Sequence, residues 1–148
     1  MTDKDNIVTI HTDGSCLSNP GPGGWAAILR WRDNEREIFG HELDTTNNRM
    51  ELKATIMGLN AVTRAMPIVL HTDSRYVMNG VKDWMPRWKA NGWRTTSKKP
   101  VANQDLWQML DEAVSRHHIT WYWVKGHAGD ELNERCDQLA RGAAESIA

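Results

Sequence analysis

The sequence predicts an α/β fold in which five strands form one mixed sheet. Five short runs are rich in β-branched, aliphatic and aromatic residues, and helical periodicity separates the later runs. Short connections between the first three runs favour an antiparallel meander, whereas helices between the later runs predict parallel crossovers. A chain of 148 residues can bury enough surface to fold as one domain without a disulfide or a structural metal. We therefore expect residues 1–148 to form a single domain.

The strands are predicted from runs that end at recognisable turns. The run IVTIHT leads into the turn-rich stretch GSCLSNPGPGG, and the polar turn RDNE joins GWAAILRW to EIFGHEL. A fourth run, IVLHT, follows Pro67, and ITWYWV forms the fifth. The predicted strands cover residues 6–12, 24–31, 37–43, 68–72 and 119–124.

Helices are predicted where apolar residues recur at helical spacing. In the first helix Met50, Ala54, Met57 and Ala61 form one stripe, and Pro67 lies beyond its end. The predicted helices cover about residues 48–64, 75–81, 104–116 and 131–145.

The composition is typical of a globular protein outside the membrane. The chain is 40% hydrophobic and 25% charged, and no apolar run approaches the roughly 18 residues of a membrane span. The start MTDKDN is too acidic for a signal peptide. Cys16 and Cys136 lack metal-site spacing and are expected to be free thiols. These features predict a cytoplasmic protein with no membrane partner. The sequence contains no oligomerisation signal, so we expect a monomer.

The charge is unevenly distributed along the chain. The formal net charge is −1, but residues 82–99 alone carry +5, so that the remaining residues sum to −6. Tryptophans alternate with lysines and arginines in this segment. A basic segment on an otherwise acidic protein indicates a polyanionic partner, although a solvated helix face with tryptophans packed beneath it would give the same pattern.

Four acidic residues stand at positions that are typical of catalytic or metal-binding sites in α/β proteins. Two copies of HTD place Asp13 and Asp73 at the ends of the first and fourth predicted strands. Parallel neighbouring strands would bring both carboxylates to one sheet edge, where open α/β sheets place their sites. Glu51, in the first turn of the first long helix, and Asp137, in the last helix, are further candidates.

Each acid also has a purely structural interpretation. The two strand-end aspartates could cap turns. Glu51 stands three residues after Asn48, which is the spacing of a capping box, and Asp137 could pair with Arg141 at i+4. The residue spacing alone leaves both interpretations open.

A cluster of all four acids would require a cation or protonation. Two carboxylates about 4 Å apart repel by about 4 kcal/mol at an effective dielectric near 20. Oxygen ligands without clustered cysteine or histidine suit Mg²⁺ or Mn²⁺ better than zinc. His11 and His71 share strand faces with the aspartates, and we expect them to pack or form hydrogen bonds instead of binding metal.

Motifs along nearly the whole chain resemble those of one enzyme family. They are TDGSCLSNPGPGGWA, TTNNRMEL, TDSRYV, a Trp/Lys segment ending in KKPV, NQDLW, WVKGHAG and NERCDQLA. In this order they are similar to the bacterial type I ribonucleases H. The resemblance implies a ribonuclease H-like fold: a five-stranded mixed sheet with strands 1–3 antiparallel, strands 1, 4 and 5 parallel, and helices on both faces.

The resemblance also implies a reaction and its residues. The family hydrolyses the RNA strand of RNA–DNA hybrids independently of sequence, using two Mg²⁺ ions for which Mn²⁺ can substitute, and leaves 3′-hydroxyl and 5′-phosphate ends. Such activity removes RNA primers and hybrids during replication and repair, and needs no organic cofactor. His127 in GHAG matches the catalytic histidine, and Asn133 is expected near the same phosphate. The implied metal-binding carboxylates are Asp13, Glu51, Asp73 and Asp137.

The same motif match implies a surface for the hybrid. Residues about 82–103 correspond to a basic protrusion, the handle, in which Trp84, Lys98 and Lys99 are expected to meet the DNA strand. Residues expected beside the RNA strand are Cys16, Asn47 and Glu51. Residues expected at the DNA strand or its phosphate are Asn19, Thr46, Asn48, Asn103 and Trp107. The polar ones among them could equally be turn and helix-cap residues.

Three other function classes were weighed against this one. A hybrid-binding module without catalysis would have no need of four acids together with His127. Another nuclease or strand-transfer enzyme could use the same fold, because a fold does not determine function. A scaffold protein would leave an acidic cluster unexplained. The sequence therefore favours the ribonuclease.

Overall fold

The computed structural model describes residues 6–94, 101–125 and 131–148. All five described strands belong to one sheet with the order β3-β2-β1-β4-β5. Strand β1 pairs antiparallel with β2 and β2 antiparallel with β3, whereas β1–β4 and β4–β5 are parallel. The predicted mixed topology is confirmed. The strands are β1 (Val8–Cys16), β2 (Gly21–Trp31), β3 (Asn34–Thr45), β4 (Pro67–Thr72) and β5 (His118–Trp123).

The strands of the meander are longer than predicted. The stretch read as a turn, GSCLSNPGPGG, lies largely within β1 and β2, because Gly14, Ser15 and Cys16 pair with Trp25, Gly24 and Gly23. The true connection is only residues 17–20. Asp13 therefore lies inside β1 and not at its end, which corrects the prediction.

The helices occur in the predicted order, but their first and last residues differ from the predicted ones. They are α1 (Asn47–Asn60), α2 (Arg75–Asn79), α3 (Met85–Ala90), α4 (Gln104–Ser115) and α5 (Glu131–Glu145). Helix α1 stops four residues earlier than predicted. Val62 and Thr63 are β-branched, and Pro67 disfavours helical geometry at Met66 and starts β4, so the intervening residues form the connection.

A π-helical turn (Gly80–Trp84) joins α2 to α3, so that one helical segment runs beyond the predicted end at residue 81. Gly80 lies against the ring of Trp107, and a Cβ at this position would collide with it. Trp84 and Trp88 pack around the same ring, with centroid distances of 6.4 and 5.4 Å. Handle residues 82–94 thus rest on an aromatic cluster, as the structural interpretation of the tryptophans predicted.

The sheet separates two packed layers. Helices α1 and α4 contact each other, and α1 covers one face of β1 and β2, while α5 covers the other face of β1, β2 and β3. The larger core lies on the α1–α4 side and includes Ile10, Leu52, Ile56, Leu70 and Leu110. Each fully buried side chain of this kind contributes about 1.5–3 kcal/mol. The core thereby fixes β1, β4 and α1, the three elements that carry candidate acids.

Other expectations have mixed outcomes. Cys16 and Cys136 form no disulfide bond, as predicted. None of the described helices combines the length and hydrophobicity that crossing a lipid bilayer requires. That residues 1–148 form one domain stays a prediction.

Candidate active site

The register of two parallel strands brings the two HTD sequences side by side. His11 of β1 lies opposite His71 of β4, and two residues further along each strand come Asp13 and Asp73. The two imidazole rings stack at 4.3 Å with an interplanar angle of 1°. The repeated tripeptide therefore aligns two carboxylates at one place in the sheet, and its histidines pack against each other as predicted.

The start of α1 brings a third carboxylate to this place. The backbone N–H of Gly14 donates a hydrogen bond of 2.6 Å to Glu51 Oε1 and one of 2.9 Å to Asp13 Oδ1. The N-cap of α1 is Thr46, whose Oγ1 accepts from the Arg49 N–H. The capping-box interpretation of Glu51 is therefore wrong, because its side chain faces β1 instead of its own helix start.

These three acids form a compact cluster. One oxygen from each of Asp13, Glu51 and Asp73 lies within 4.8 Å of the others. Asp13 is 3% exposed and Glu51 9% exposed. With both carboxylates ionised, Asp13 Oδ2 and Glu51 Oε2 are buried and find no hydrogen-bond donor among the described residues. Unbonded, buried carboxylate oxygens cost free energy unless a cation binds them.

The electrostatics of the cluster favour the protonated acids when no cation is bound. Burial raises the pKa of Asp13 to about 7, and the charges of Asp73 and Asp137 act in the same direction. Burial and then the charge of Asp13 raise the pKa of Glu51 well above its usual range. A hydrogen bond between Asp13 and Glu51 lowers the pKa of Asp13 and raises that of Glu51, and the pKa values of both carboxyls lie above their usual range.

Asp137 lies beside the cluster but outside it. Helix α5 is anchored to β1 by the buried Cys136 thiol, which donates to the His11 carbonyl at 3.2 Å. Asp137 accepts a 2.7 Å hydrogen bond from Arg141, the i+4 pair that the structural interpretation predicted. It is nevertheless close enough to raise the pKa of Asp13. The structure thus brings together three of the four predicted carboxylates and places the fourth at their margin.

The donor set fits a hard divalent cation. All three clustered groups are carboxylates, and Mg²⁺ and Mn²⁺ prefer oxygen ligands. A cation there would supply the charge that Asp13 Oδ2 and Glu51 Oε2 lack. The arrangement can therefore hold metal just beyond the point where the parallel pairing of β1 with β4 ends.

Comparison with known proteins identifies the family. The RNase H family model matches residues 5–145. Ribonuclease HI of Pseudomonas aeruginosa is 60% identical over 146 residues, which cover 98% of each chain. Ribonuclease H of Hyphomonas neptunium is 55% identical over 147 residues, 99% of this chain and 97% of the relative. This chain belongs to the ribonuclease H family. The predicted resemblance to the bacterial type I enzymes is confirmed, and with it the assignment to a family of metal-dependent endoribonucleases.

A solved structure supports the same conclusion about the fold. The chain is similar to LC9-RNase H1, a type 1 RNase H with the type 2 active-site motif. The two share 34% identity and a TM-score of 0.87, over 97% of this chain and 74% of the other. The ribonuclease H-like fold is therefore confirmed.

Several residues expected at the hybrid lie on one surface. The Cys16 Sγ lies 2.7, 3.4 and 3.4 Å from the carbonyl oxygens of Ser18, Gly21 and Thr45, within reach of a single S–H hydrogen bond. The Asn47 N–H donates to Asn19 Oδ1 at 3.2 Å, which ties the β1–β2 connection to the start of α1. Asn19, Asn47 and Asn48 are exposed there, whereas Thr46 is half-buried as the N-cap. A ribonuclease H could present these groups to a minor groove.

Arg49 joins this surface to the start of α4. Its guanidinium donates to Asn103 Oδ1 at 3.3 Å and to both carboxylate oxygens of Asp105, at 3.0 and 2.8 Å. Asn103 adopts a left-handed conformation with φ of 59°, which asparagine tolerates well. Its Nδ2 donates to the Tyr76 hydroxyl at 3.0 Å. The structure therefore brings Asn103 close to the helix start that carries Thr46.

Burial bears on two predicted contacts. Trp107 is fully buried in the core, and its Nε1–H donates to the Tyr76 hydroxyl at 3.1 Å, so its side chain has no exposed surface for DNA. Asn133 on α5 is also fully buried, and its expected role near the phosphate stays a prediction. Trp84 is half-buried within the aromatic cluster. Lys98, Lys99 and His127 lie outside the described residues.

Sequence reasoning missed three residues that organise the site. The Gly14 N–H holds Glu51, Arg49 links α1 to α4, and the Tyr76 hydroxyl accepts from both Asn103 and Trp107. The only available signal was the position of Gly14 directly after Asp13, since a glycine beside a buried acid often permits a close backbone approach. Nothing in the spacing of Arg49 or Tyr76 indicated their partners.

Proposed function

We propose that this ribonuclease H hydrolyses the RNA strand of RNA–DNA hybrids at the Asp13–Glu51–Asp73 cluster, with Mg²⁺ as the physiological metal. One observation carries the proposal: three carboxylates from β1, α1 and β4 converge within 4.8 Å, and two of their oxygens lack hydrogen-bond donors among the described residues. Family membership supplies the substrate class.

The metal requirement follows from the chemistry of the donors. Asp13, Glu51 and Asp73 would hold the divalent cations, which would supply water activation and positive charge for the phosphate and the leaving oxygen. Mg²⁺ suits a site with carboxylates that also leaves room for water and phosphate oxygens. Mn²⁺ takes the same ligands and is expected to substitute.

The chain positions these ligands before metal binds. Parallel pairing of β1 with β4 sets Asp13 beside Asp73, and the Gly14 N–H orients Glu51 towards them. Asp137 contributes negative charge from α5, and it would serve as a fourth ligand once its pairing with Arg141 is broken. Because rigid secondary structure holds these side chains in place, little free energy is needed to order them during the reaction.

Proton transfer is assigned to His127. An imidazole titrates near neutral pH, so it can carry a proton to or from a reacting oxygen or assist product release. If the His127→Ala variant retained full turnover across pH 5–9, this assignment would be wrong.

Hybrid binding is assigned to the surface around the starts of α1 and α4. Cys16, Asn47 and Glu51 would meet the RNA strand, whose 2′-hydroxyl both donates and accepts hydrogen bonds. The DNA strand would meet Asn19, Thr46, Asn48 and Asn103. Lys98, Lys99 and Trp84 of the handle would neutralise or stack on the DNA backbone independently of sequence. Removing Lys98 and Lys99 should raise KM and flatten its dependence on salt.

The oligomeric state, the cofactor requirement and the compartment of the enzyme are also proposed. We expect a monomer that acts without an organic cofactor. Hybrids form where a bacterium replicates its DNA, so the cytoplasm is the expected compartment, with removal of primers and stray hybrids as the expected task.

A substrate panel tests the proposal. The purified protein is incubated with an end-labelled RNA–DNA hybrid, the matching double-stranded RNA, and single-stranded RNA, in Mg²⁺ or in EDTA. We expect cleavage of the RNA in the hybrid alone, only with Mg²⁺, and products with 5′-phosphate ends. Cleavage that persists in EDTA, or that does not distinguish the hybrid from the other substrates, would refute the proposed reaction.

A further inference from the structure

A second cleft opens beside the carboxylate cluster. It has a volume of about 300 Å³ and lies between α2, the π-helical turn and the end of β5. Arg75, Asn79 and Lys82 line it from the helical side and Trp123 from the strand. All four are exposed, and Met78 forms its buried floor. We call these residues the β5 cleft.

The two cations of the β5 cleft are available to a ligand. The Arg75 guanidinium stacks over the Trp123 ring at 4.8 Å from its centroid. Stacking engages the face of a guanidinium and leaves its edge N–H groups free to bind an oxyanion. Within the described ranges, no carboxylate pairs with Arg75 or Lys82.

Six other cations among the described residues differ in this respect. Acidic partners are found for Arg30, Arg49, Lys53, Lys89, Arg135 and Arg141. Two unpaired positive charges that converge with an amide and an exposed aromatic ring are a suitable set for a phosphate and the nucleoside attached to it.

The β5 cleft is tied directly to the catalytic acids. Trp123 Nε1 donates to the Asp73 backbone carbonyl at 3.3 Å, and Arg75 follows Asp73 by two residues. Ser74, between them, caps α2 by accepting from the Val77 N–H at 3.1 Å. These contacts fix the cleft rigidly relative to the carboxylate that ends β4.

We propose that the β5 cleft binds a backbone phosphate of the RNA strand next to the phosphate that is cut. The inference rests on the proposed function and extends it to a substrate contact at Arg75, Lys82 and Trp123. Arg75 and Lys82 bind the phosphate oxygens, Asn79 donates to the same group, and the Trp123 ring gives the neighbouring nucleoside an apolar surface.

The sheet order explains why the ligand is the RNA strand. The groups assigned to the RNA strand, Cys16, Asn47 and Glu51, lie at the end of β1 and the start of α1, on the β1 side of Asp73. The β5 cleft lies on the opposite side, because β5 flanks β4. An RNA strand whose scissile phosphate lies at Asp13 and Asp73 therefore runs towards α1 in one direction and towards Arg75 in the other.

The test removes both cations and follows the steady-state kinetics of hybrid cleavage. The Arg75→Ala/Lys82→Ala variant is compared with the parent and with Arg36→Ala/Arg64→Ala, which removes the same charge at an exposed site on the far end of the sheet. Reactions run in Mg²⁺ at several concentrations of monovalent salt. Thermal unfolding of each variant verifies that it is folded.

We expect KM to rise about tenfold in the β5-cleft variant with kcat within twofold of the parent. The slope of log(kcat/KM) against log[salt] should become shallower by about 1, the value for one lost phosphate contact. An Arg75→Lys/Lys82→Arg variant should restore most of the lost affinity. If KM and the salt slope match those of Arg36→Ala/Arg64→Ala, the inference is overturned. If the parent itself fails to cleave the hybrid, the proposed function fails independently.

Discussion

The backbone N–H of Gly14 donates a 2.6 Å hydrogen bond to the carboxylate of Glu51. This contact joins β1 to the first turn of α1 and places Glu51 next to Asp13, the residue that precedes Gly14. The approach is close: a Cβ on Gly14 would lie 2.5 Å from the Glu51 nitrogen and 2.5 Å from the Met50 carbonyl carbon. Only glycine allows the helix start to sit so near the strand.

Substitution of Gly14 by alanine should therefore displace the start of α1. We expect Gly14→Ala to lower the free energy of unfolding by about 1–3 kcal/mol and hybrid cleavage by at least about tenfold, because an overpacked contact moves Glu51 away from the cluster. Chemical denaturation and initial-rate assays measure both effects.

Gly142→Ala is the matched control. No atom lies within 4 Å of a Cβ at this position in α5, so alanine should leave activity unchanged and stabilise the helix by up to about 1 kcal/mol. Equal activities of the two variants would contradict the role assigned to Gly14.

The raised pKa of Asp13 predicts how stability depends on pH. In the folded state this pKa is about 7 instead of 3.8, so the folded protein binds more protons than the unfolded chain between these values. Stability in EDTA should therefore fall as pH rises from about 4 to about 7. Asp13→Asn removes this contribution and should be more stable than the parent above pH 7, by on the order of 2 kcal/mol.

Urea unfolding at pH 4 and pH 7.5, in EDTA, measures this difference. The advantage of Asp13→Asn should disappear near pH 4, and saturating Mg²⁺ should reduce it at pH 7.5 by stabilising the parent. Asp33→Asn, in the exposed β2–β3 turn, is the control and should follow the parent throughout. A parent more stable than Asp13→Asn at pH 7.5 in EDTA would contradict the account.

The burial of Trp107 separates packing from contact with DNA. Trp107→Phe removes the hydrogen bond to the Tyr76 hydroxyl and leaves a small cavity, which should cost about 1–3 kcal/mol of stability. KM for the hybrid should stay within twofold of the parent at temperatures where the variant is folded. A tenfold rise in KM would indicate that Trp107 contacts the DNA directly and would contradict its assignment to packing.

Arg141 restrains Asp137 and opposes metal binding. Its positive charge lies 2.7 Å from a carboxylate that faces the cluster, but it is 57% exposed, so the effect of removing it should be modest. We expect Arg141→Ala to lower the Mg²⁺ concentration for half-maximal cleavage about two- to threefold. Arg135→Ala removes the same charge where α5 meets Glu35 and Glu37, and should leave this concentration unchanged. A higher Mg²⁺ requirement in Arg141→Ala would contradict the prediction.

The topology was predictable because local patterns agreed with it, but several boundaries depended on partners distant in sequence. Residues 14–16 and 21–23 are glycine- and serine-rich and read as a turn, yet antiparallel pairing between them extends both strands. Likewise, no local signal marks the π-helical turn that begins at Gly80, where the backbone packs closely against the ring of the distant Trp107.

The site could be predicted only in part for the same reason. The repeated HTD predicted that Asp13 and Asp73 lie together, because parallel strands in register align equal motifs. The capping-box spacing of Glu51 was misleading, since the partner that decides its orientation is Gly14, 37 residues away. Burial of Trp107 and Asn133 likewise depends on tertiary packing.

The central claim is that Asp13, Glu51 and Asp73 together hold the metal on which hybrid cleavage depends. The most direct measurement is a Mg²⁺ titration of the midpoint of thermal unfolding at pH 7.5, for the parent, Asp13→Asn and Asp33→Asn. A ligand that binds only the folded state raises this midpoint, and the rise increases with the logarithm of the ligand concentration above its Kd. The account predicts a rise with Mg²⁺ in the parent and in Asp33→Asn and almost none in Asp13→Asn; an equal rise in all three proteins would place the metal elsewhere and contradict it.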